Sequence, residues 1–209
     1  SRTVGEYAVK SVSGHYMSRK AGAMIDFESR SSELGYLLES ELDPSIWWIG
    51  AQPESVNVYR HDSRGRKITK QYTPDFLVIT ATSAYIVEVK THEALEKLCE
   101  DYPSDWLRES DGTFRFLPAE RAFADLGLDF RVWDSGTQTP VFRSNVRYLL
   151  QVSKRLSPDS DKANRVSGYF QKQAWGNLND VRKQCTLQSL DDVIYFVSTG
   201  ALHANLYHQ

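Results

Sequence analysis

One early segment of the chain combines apolar and polar residues at helical spacing. In SSELGYLLESELDP, which starts at Ser31, four leucines occupy positions i, i+3, i+4 and i+8, as on one face of a helix. Serine precedes the apolar face and Asp43-Pro44 ends it, so the pattern predicts an amphipathic helix. Glu33 comes one residue before the first leucine, and we expect its carboxylate at the border between the buried face and solvent.

Short segments rich in β-branched and aromatic residues follow and predict strands. They are IWWI (46–49), ESVNVYR (54–60), a long hairpin from Gln71 to Lys90, and LDFRVWD (128–134). The polar segment HDSRGRK (61–67) predicts a turn. HEALEKLCE (92–100) and PAERAFADLG (118–127) predict helices, and the segment 101–117 ahead of the second is polar and punctuated by Pro and Gly. This order predicts an α/β fold with a mixed sheet and helices packed on it.

The two ends of the chain differ from this central part. The first residues predict an irregular arm with scattered basic side chains, at Arg2, Lys10, His15, Arg19 and Lys20. After the loop DSGTQTP the pattern turns helical, which predicts a boundary near Pro140 between a domain of residues 1–140 and a domain of residues 141–209. The last helix, followed by Gly200 and a short apolar stretch, suits a winged-helix or helix-turn-helix module. A helical cap on the first domain is the alternative.

The overall composition is that of an ordinary globular protein, because 41% of the residues are apolar and 25% are charged. No apolar run approaches the roughly 20 residues of a membrane span. The start, SRTVGEYAVK, has no apolar signal segment. These features predict a cytoplasmic protein without a membrane partner.

Cysteine and histidine chemistry is not indicated. Cys99 and Cys185 lie far apart without C-x-x-C spacing, so neither a disulfide framework nor a structural zinc site is predicted. The histidines form no H-x-x-x-H pair, which disfavours a histidine-ligated metal. They are His15, His61, His92, His203 and His208.

Charge is distributed unevenly along the chain. Residues 1–140 hold 16 Lys and Arg against 22 Asp and Glu, whereas residues 141–209 hold 9 against 5. The basic tail is consistent with a nucleic-acid surface, although solvated helix faces explain it equally well.

The segment YTPDFLVITATSAYIVEVK carries the candidate chemistry. If its strands turn at Ala81-Thr82 as a two-residue loop, Thr80 pairs with Ser83, and counting outward sets Asp75 opposite Glu88. Directly opposed side chains have Cβ atoms about 4.5–5.5 Å apart, near enough for both carboxylates to bind one Mg²⁺ ion, with Mn²⁺ as a substitute. The loop pair is not a favoured one, so a longer loop with a shifted register is the alternative.

Glu88 and Lys90 are two residues apart, so on a strand their side chains point to the same face. Val89 turns into the sheet and can offer its backbone carbonyl to the metal. Phosphodiester hydrolysis needs a cation that neutralises the phosphate and acidifies a bound water, and a lysine can orient that water or stabilise the transition state. The pattern therefore predicts a metal-dependent nuclease.

A purely structural interpretation of these residues is the alternative. Asp75 would then only follow a proline at a strand start, and Glu88 and Lys90 would lie on the solvent face of an edge strand. The apolar flanks in IVEVK argue against this, because a buried strand rarely tolerates Glu and Lys unless they are paired or used. Gln52, in GAQP, is favoured as a turn residue over a site residue.

These motifs resemble the PD-(D/E)XK nuclease superfamily, in which PD is followed by EVK after an upstream helical Glu. The order FESRSSELGYLLESELDP, AQP, YTPDFLV and YIVEVK is similar, over residues 24–134, to the TnsA endonuclease subunit of heteromeric bacterial transposons. CTLQSLDDVIYFVSTGALHANL is similar to the small C-terminal winged-helix-like domain of that family. The resemblance implies a restriction-endonuclease-like mixed sheet flanked by helices, followed by a small helical domain.

The resemblance also implies roles for individual residues. The family often has Ser-x-x-Glu, whereas Ser29 here stands four residues before Glu33. Glu28 is therefore the alternative for the helical position, although the LGYLLE pattern that follows favours Glu33. The implied metal ligands are Asp75 and Glu88, with Glu33 as a further candidate. The implied catalytic residues are Glu33, Asp75, Glu88 and Lys90.

What the resemblance implies about function is specific. TnsA-type proteins nick the 5′ ends of the transposon DNA, a TnsB-type transposase cuts and joins the 3′ ends, and a TnsC-type AAA+ ATPase binds the C-terminal part. Two other functions stay open. One is a restriction-like, repair or phage nuclease without a transposase partner, and the other is a non-catalytic DNA-binding adaptor.

Overall fold

The structure is a computed structural model, and the part of the chain that it describes comprises residues 13–29, 32–62, 64–155, 159–199 and 201–206. The chain divides into two compact units, Ser1–Gln138 and Thr139–Gln209. Arg2 and Lys10 of the predicted arm lie outside the described residues, as do Gly200 and His208.

The first unit contains strands that pair in four separate sheets. The strands are Gly14–Ser18 (β1), Ala23–Phe27 (β2), Ile46–Ala51 (β3), Val56–His61 (β4), Lys67–Tyr72 (β5), Phe76–Thr80 (β6), Ala84–Lys90 (β7), Trp106–Arg108 (β8), Phe114–Phe116 (β9) and Asp129–Asp134 (β10). The main sheet has the order β10-β7-β6-β3, with β10 parallel to β7 and the other pairs antiparallel. The predicted mixed sheet is therefore confirmed, and β7 lies inside it.

Three helices accompany these strands, at Glu33–Leu42 (α1), His92–Asp101 (α2) and Leu117–Ala124 (α3). In α1 the side chains of Leu34, Leu37 and Leu38 are buried, so the predicted amphipathic helix is confirmed. It stops at Asp43, whose extended backbone precedes a proline that cannot continue the helix.

The two faces of the main sheet bury different partners. One face packs against α1 through a core that contains Leu37, Ile49, Phe76 and Val87. The opposite face, which includes Ile86 and Phe130, packs against α2, α3 and the two hairpins β4–β5 and β8–β9. Side chains of β7 that alternate in sequence therefore enter opposite cores.

Three predictions about strands were wrong. Residues 14–27 are not an irregular arm but an antiparallel hairpin, β1–β2, that pairs Gly14 with Phe27. The long hairpin does not begin at Gln71, because that residue belongs to β5 and pairs with Asn57 of β4. Residues 101–117 contain the short hairpin β8–β9, whose Trp106 and Phe116 rings stack 4.4 Å apart.

The second unit is helical within its described residues. Its helices are Pro140–Arg155 (α4), Ser160–Phe170 (α5), Leu178–Gln184 (α6) and Leu190–Ser198 (α7). A core of Val166, Val181, Cys185, Leu187, Val193 and Phe196 holds α5, α6 and α7 together. No strand that would form a wing occurs among the described residues of this unit.

None of the helices in the described ranges has the length and apolar character that crossing a membrane requires.

Candidate active site

The hairpin β6–β7 has the register that its sequence predicts. Ile79 pairs with Ala84, and the Thr80 N–H donates a 2.8 Å hydrogen bond to the Ser83 carbonyl across the two-residue loop. The same register, carried one step beyond the start of β6, sets Asp75 opposite Glu88. The alternative of a longer loop with a shifted register is wrong.

Glu88 and Lys90 share one face of β7, while Val87 and Val89 enter the core under α1. Glu88 is only 5% exposed, and it lies on a strand that has neighbouring strands on both sides. The interpretation of this strand as a solvated edge is therefore wrong. A buried carboxylate at such a position must be compensated by hydrogen bonds or by opposite charge.

Two donors compensate Glu88. The Tyr72 hydroxyl donates to Oε2, and the Lys90 ammonium donates to Oε1. Burial alone would lower the pKa of Lys90, but the carboxylates of Glu88 and Asp75 outweigh burial and raise it. Burial and the Glu88 charge raise the pKa of Tyr72 well above its ordinary value, so Tyr72 stays a hydrogen-bond donor.

Tyr72 is the residue of this cluster that sequence reasoning missed. It ends β5, which belongs to the neighbouring hairpin, and only the packing of β4–β5 against the main sheet brings its hydroxyl to Glu88. The TPD segment connects Tyr72 to Asp75 over three residues, which is the one local hint in the sequence.

Asp75 is held by the strand opposite. Its Oδ2 accepts a 2.7 Å hydrogen bond from the Val89 N–H. Burial and the neighbouring Glu88 charge raise the pKa of Asp75 well above its ordinary value, and the Lys90 charge and the Val89 hydrogen bond oppose this only in part. Two carboxylates that share a poorly solvated site repel each other unless a proton or a cation lies between them.

Glu33, the first residue of α1, reaches the same cluster. Burial raises its pKa, and the charges of Lys90 and Glu88 act on it as well. Its Oε2 accepts a 2.8 Å hydrogen bond from the Glu28 N–H. A cavity of about 60 Å³ is lined by both glutamates and by Asp75, so Glu33 and its alternative, Glu28, both lie at the site.

Gln52 lies at the same cavity, in the bend after β3. Its backbone is in the left-handed region, with φ 46°, and its N–H donates a 2.8 Å hydrogen bond to the Asp75 carbonyl. A non-glycine residue adopts this conformation at a cost of about 1–3 kcal/mol. The favoured role as a turn residue is thus observed, and the same turn places Gln52 beside Asp75.

The oxygen atoms of this cluster suit a hard cation. Among the described residues, no three His, Cys, Asp or Glu side chains are disposed to hold a metal ion as they stand. Each carboxylate nevertheless keeps acceptor capacity beyond its present hydrogen bonds, since an ionised carboxylate has about four lone-pair sites. Asp75 and Glu88 therefore fit the chemistry of a divalent metal site, and Glu33 is close enough to interact with it electrostatically.

Part of the chain is similar to a known family of domains. Residues 43–135 match the family model described as TnsA-like endonuclease N terminal. The matched segment contains Asp75, Glu88 and Lys90, whereas Glu33 precedes it. A search of curated proteins found no match to the chain.

Proposed function

We propose that the protein is a Mg²⁺-dependent DNA endonuclease that nicks the 5′ ends of a transposon, because residues 43–135 match the model of a TnsA-like endonuclease N-terminal domain. A TnsB-type transposase would act on the 3′ ends. The observation that carries the proposal is the cluster that Asp75 and Lys90 form with the buried Glu88 inside the matched domain. For stability alone, apolar residues of similar volume would serve as well as or better than such a cluster.

The carboxylates of Asp75 and Glu88 would hold the metal, with the Val89 carbonyl and Glu33 as further ligands. When bound, a divalent cation neutralises phosphate charge and lowers the pKa of a coordinated water. The Val89 N–H fixes Asp75, and the Tyr72 hydroxyl fixes Glu88. Ligands held in this way are preorganised, which raises metal affinity.

Besides a bound metal ion, the Lys90 ammonium would bring positive charge to the site. Its raised pKa keeps the ammonium protonated at neutral pH. It already donates a hydrogen bond to Glu88, and its remaining N–H groups can donate hydrogen bonds to a phosphate oxygen or to the attacking water. An ammonium in this position stabilises the negative charge that develops as the phosphodiester is cleaved.

The helical second unit is proposed as the partner-binding part of the protein. By its resemblance it would be winged-helix-like and would contact a TnsC-type AAA+ ATPase, DNA, or both. The protein would then work in the bacterial cytoplasm, where the transposon DNA and the other subunits are found.

The proposal is tested by changing Asp75 to Ala in the full chain. Nicking of transposon-end DNA in Mg²⁺ or Mn²⁺, with the transposase present, should fall by about a thousandfold or more, because the metal loses a ligand. Strand-specific gel analysis should show 3′ cleavage intact and 5′ strands uncut.

The matched control is Asp129→Ala, which removes a carboxylate that is 76% exposed at the start of β10 and should leave nicking unchanged. Full cut-and-paste activity from the Asp75→Ala protein would refute the proposal. Efficient double-strand cleavage by the wild type without a transposase would instead support the restriction-like alternative.

A further inference from the structure

The hairpin β4–β5, with its loop, is an exposed and strongly basic element of an acidic unit. We call residues 56–72 the basic ribbon; it holds five Lys and Arg and a single carboxylate. Every described residue from Arg64 to Gln71 is exposed. The unit to which the ribbon belongs carries an excess of acidic residues, so the ribbon is a local reversal of charge.

Three cations of the basic ribbon are available to a partner. The Asp62 carboxylate pairs with the Arg66 guanidinium at 2.9 Å. It also accepts hydrogen bonds from backbone N–H groups of the loop. Arg60 lies over the Tyr102 ring and near the buried Asp105. In the described part of the chain, no carboxylate lies within ion-pair distance of the remaining three, which are Arg64, Lys67 and Lys70.

The C-terminal end of the basic ribbon lies at the candidate active site. Tyr72, its last residue, donates to Glu88. Lys70 stands two residues earlier on β5, on the same face as Tyr72 and roughly 7 Å along the strand. Lys67 stands five residues earlier, at roughly 17 Å and on the opposite face of the strand. Positive charge on both faces of β5 therefore leads away from the carboxylate cluster.

The basic ribbon is anchored rather than free. Val58 is 1% exposed in the core beneath the ribbon. At the far end of β4, Asp105 accepts a 2.8 Å hydrogen bond from the His61 N–H, and its other oxygen lies 2.8 Å from the His61 ring Nδ1. An anchored surface loses little conformational entropy when it binds a partner. The outer edge of β5 has no strand partner among the described residues, so its backbone N–H groups are also available.

We propose that the outer edge of β5 lies along the phosphate backbone of duplex DNA beside the scissile phosphate, with Arg64, Lys67 and Lys70 contacting phosphates from either side of this edge. This inference rests on the proposed nuclease function and names the element that holds its substrate. The roughly 17 Å from Tyr72 to Lys67 are several times the axial rise of DNA, which is about 3.4 Å per nucleotide, so β5 is long enough to meet more than one phosphate of a strand. Contacts of this kind, from lysine, arginine and backbone N–H groups, position a duplex without reading its sequence.

The test compares the full-length wild type with the triple variant Arg64→Ala/Lys67→Ala/Lys70→Ala. Binding to a fluorescent duplex several helical turns long is measured by anisotropy in EDTA, over a range of salt concentrations. Affinity should fall tenfold or more, equally for different DNA sequences. The slope of log affinity against log salt should become shallower by about 0.9 for each phosphate that the variant no longer neutralises, hence by about two to three.

The charge-matched control is Lys97→Ala/Arg121→Ala/Arg108→Ala, which removes three cations outside the basic ribbon. It should bind DNA nearly as the wild type does. An equal loss of affinity in this control would overturn the inference, because the effect would then come from net charge alone. Failure of the wild type to bind DNA even at low salt would overturn it too.

Cleavage measured in parallel separates this inference from the proposed function. A wild type that nicks DNA, with a triple variant of unchanged affinity and salt dependence, would overturn the role of the basic ribbon and leave the nuclease standing. An acidic protein surface would then be the partner to examine. If the wild type binds DNA, the triple variant loses this binding, and the wild type never nicks, the result would support the inference and contradict the proposed function.

Discussion

Two antiparallel hairpins of the first unit lie side by side and differ in burial. The hairpin β6–β7 lies inside the main sheet and carries the buried Glu88, to which Lys90 donates, opposite Asp75. The hairpin β4–β5 lies at the surface, and β5 is exposed over nearly its whole length. They are adjacent in sequence, and Tyr72 is where the second meets the first.

The difference shows that burial, more than residue type, decides what a charged side chain can do. Lys90 is largely enclosed, and its carboxylate neighbours raise its pKa, because charges interact strongly where water is excluded. Lys70 is exposed on the neighbouring hairpin, where solvent and salt screen its charge. Under the proposals made above, the same residue type would serve catalysis in one hairpin and attraction of a polyanion in the other.

The largest difference between the two hairpins is expected when one lysine is removed from each. Lys90→Ala should lower turnover at saturating DNA by about a hundredfold to a thousandfold, since a charge aimed at the transition state is removed, and should change DNA affinity little. Lys70→Ala should weaken binding by a few fold and leave turnover unchanged. Nicking rates and anisotropy on both variants measure this, and similar effects of the two substitutions would show that the hairpins do not divide the work.

A smaller effect is expected where the hairpins touch. Tyr72→Phe removes one of the two donors to Glu88 and should raise the Mn²⁺ concentration for half-maximal nicking about tenfold to a hundredfold, the usual cost of losing a residue that orients a metal ligand. Turnover at saturating Mn²⁺ should largely recover.

Tyr59→Phe is the control for this substitution, because it removes a hydroxyl from a tyrosine that is 74% exposed on the same ribbon. Its Mn²⁺ dependence should match that of the wild type. If Tyr72→Phe also leaves the Mn²⁺ dependence unchanged, Tyr72 does not position Glu88.

The smallest effect concerns stability and its dependence on pH. Because the pKa of Asp75 is raised in the folded chain, the folded state binds more protons than the unfolded state above the ordinary aspartate pKa. Stability should therefore fall as pH rises from that value to the raised one. In EDTA at neutral pH, Asp75→Asn should raise the melting temperature by roughly 2–4 °C, the shift expected for about 1 kcal/mol in a chain of this length.

Calorimetry of both proteins across this pH range would measure the effect. Added Mn²⁺ should stabilise the wild type, because ligand binding favours the folded state, and should stabilise Asp75→Asn much less. The exposed Asp129→Asn should melt as the wild type does. A wild type whose stability rises with pH through the same window would show that Asp75 is not strained by burial and by Glu88.

The parts of the site that were predictable from the sequence are those fixed by local geometry. A two-residue loop sets the register of β6–β7, so the positions of Asp75 and Glu88 follow from counting. The helical position of Glu33 followed from leucine spacing in the same way.

The parts that were not predictable depend on packing between distant segments. Tyr72 reaches Glu88 only because one hairpin packs on another sheet, and no periodicity records such packing. The strands β8 and β9 have three residues each, too few for alternation to be recognised. The strands β1 and β2 were not predicted for a related reason, because polar and small residues interrupt their apolar pattern.

The parallel pairing of β10 with β7 has a consequence for the order in which the chain folds. The hairpin β6–β7 is local and can form early, whereas β10, whose Val132 is the partner of Glu88, returns only at residues 129–134. Parallel pairing over such a separation is slow to form. The enclosure that perturbs Asp75 and Lys90 therefore comes late, and a nascent or partly folded chain lacks the environment on which the proposed cleavage of DNA depends.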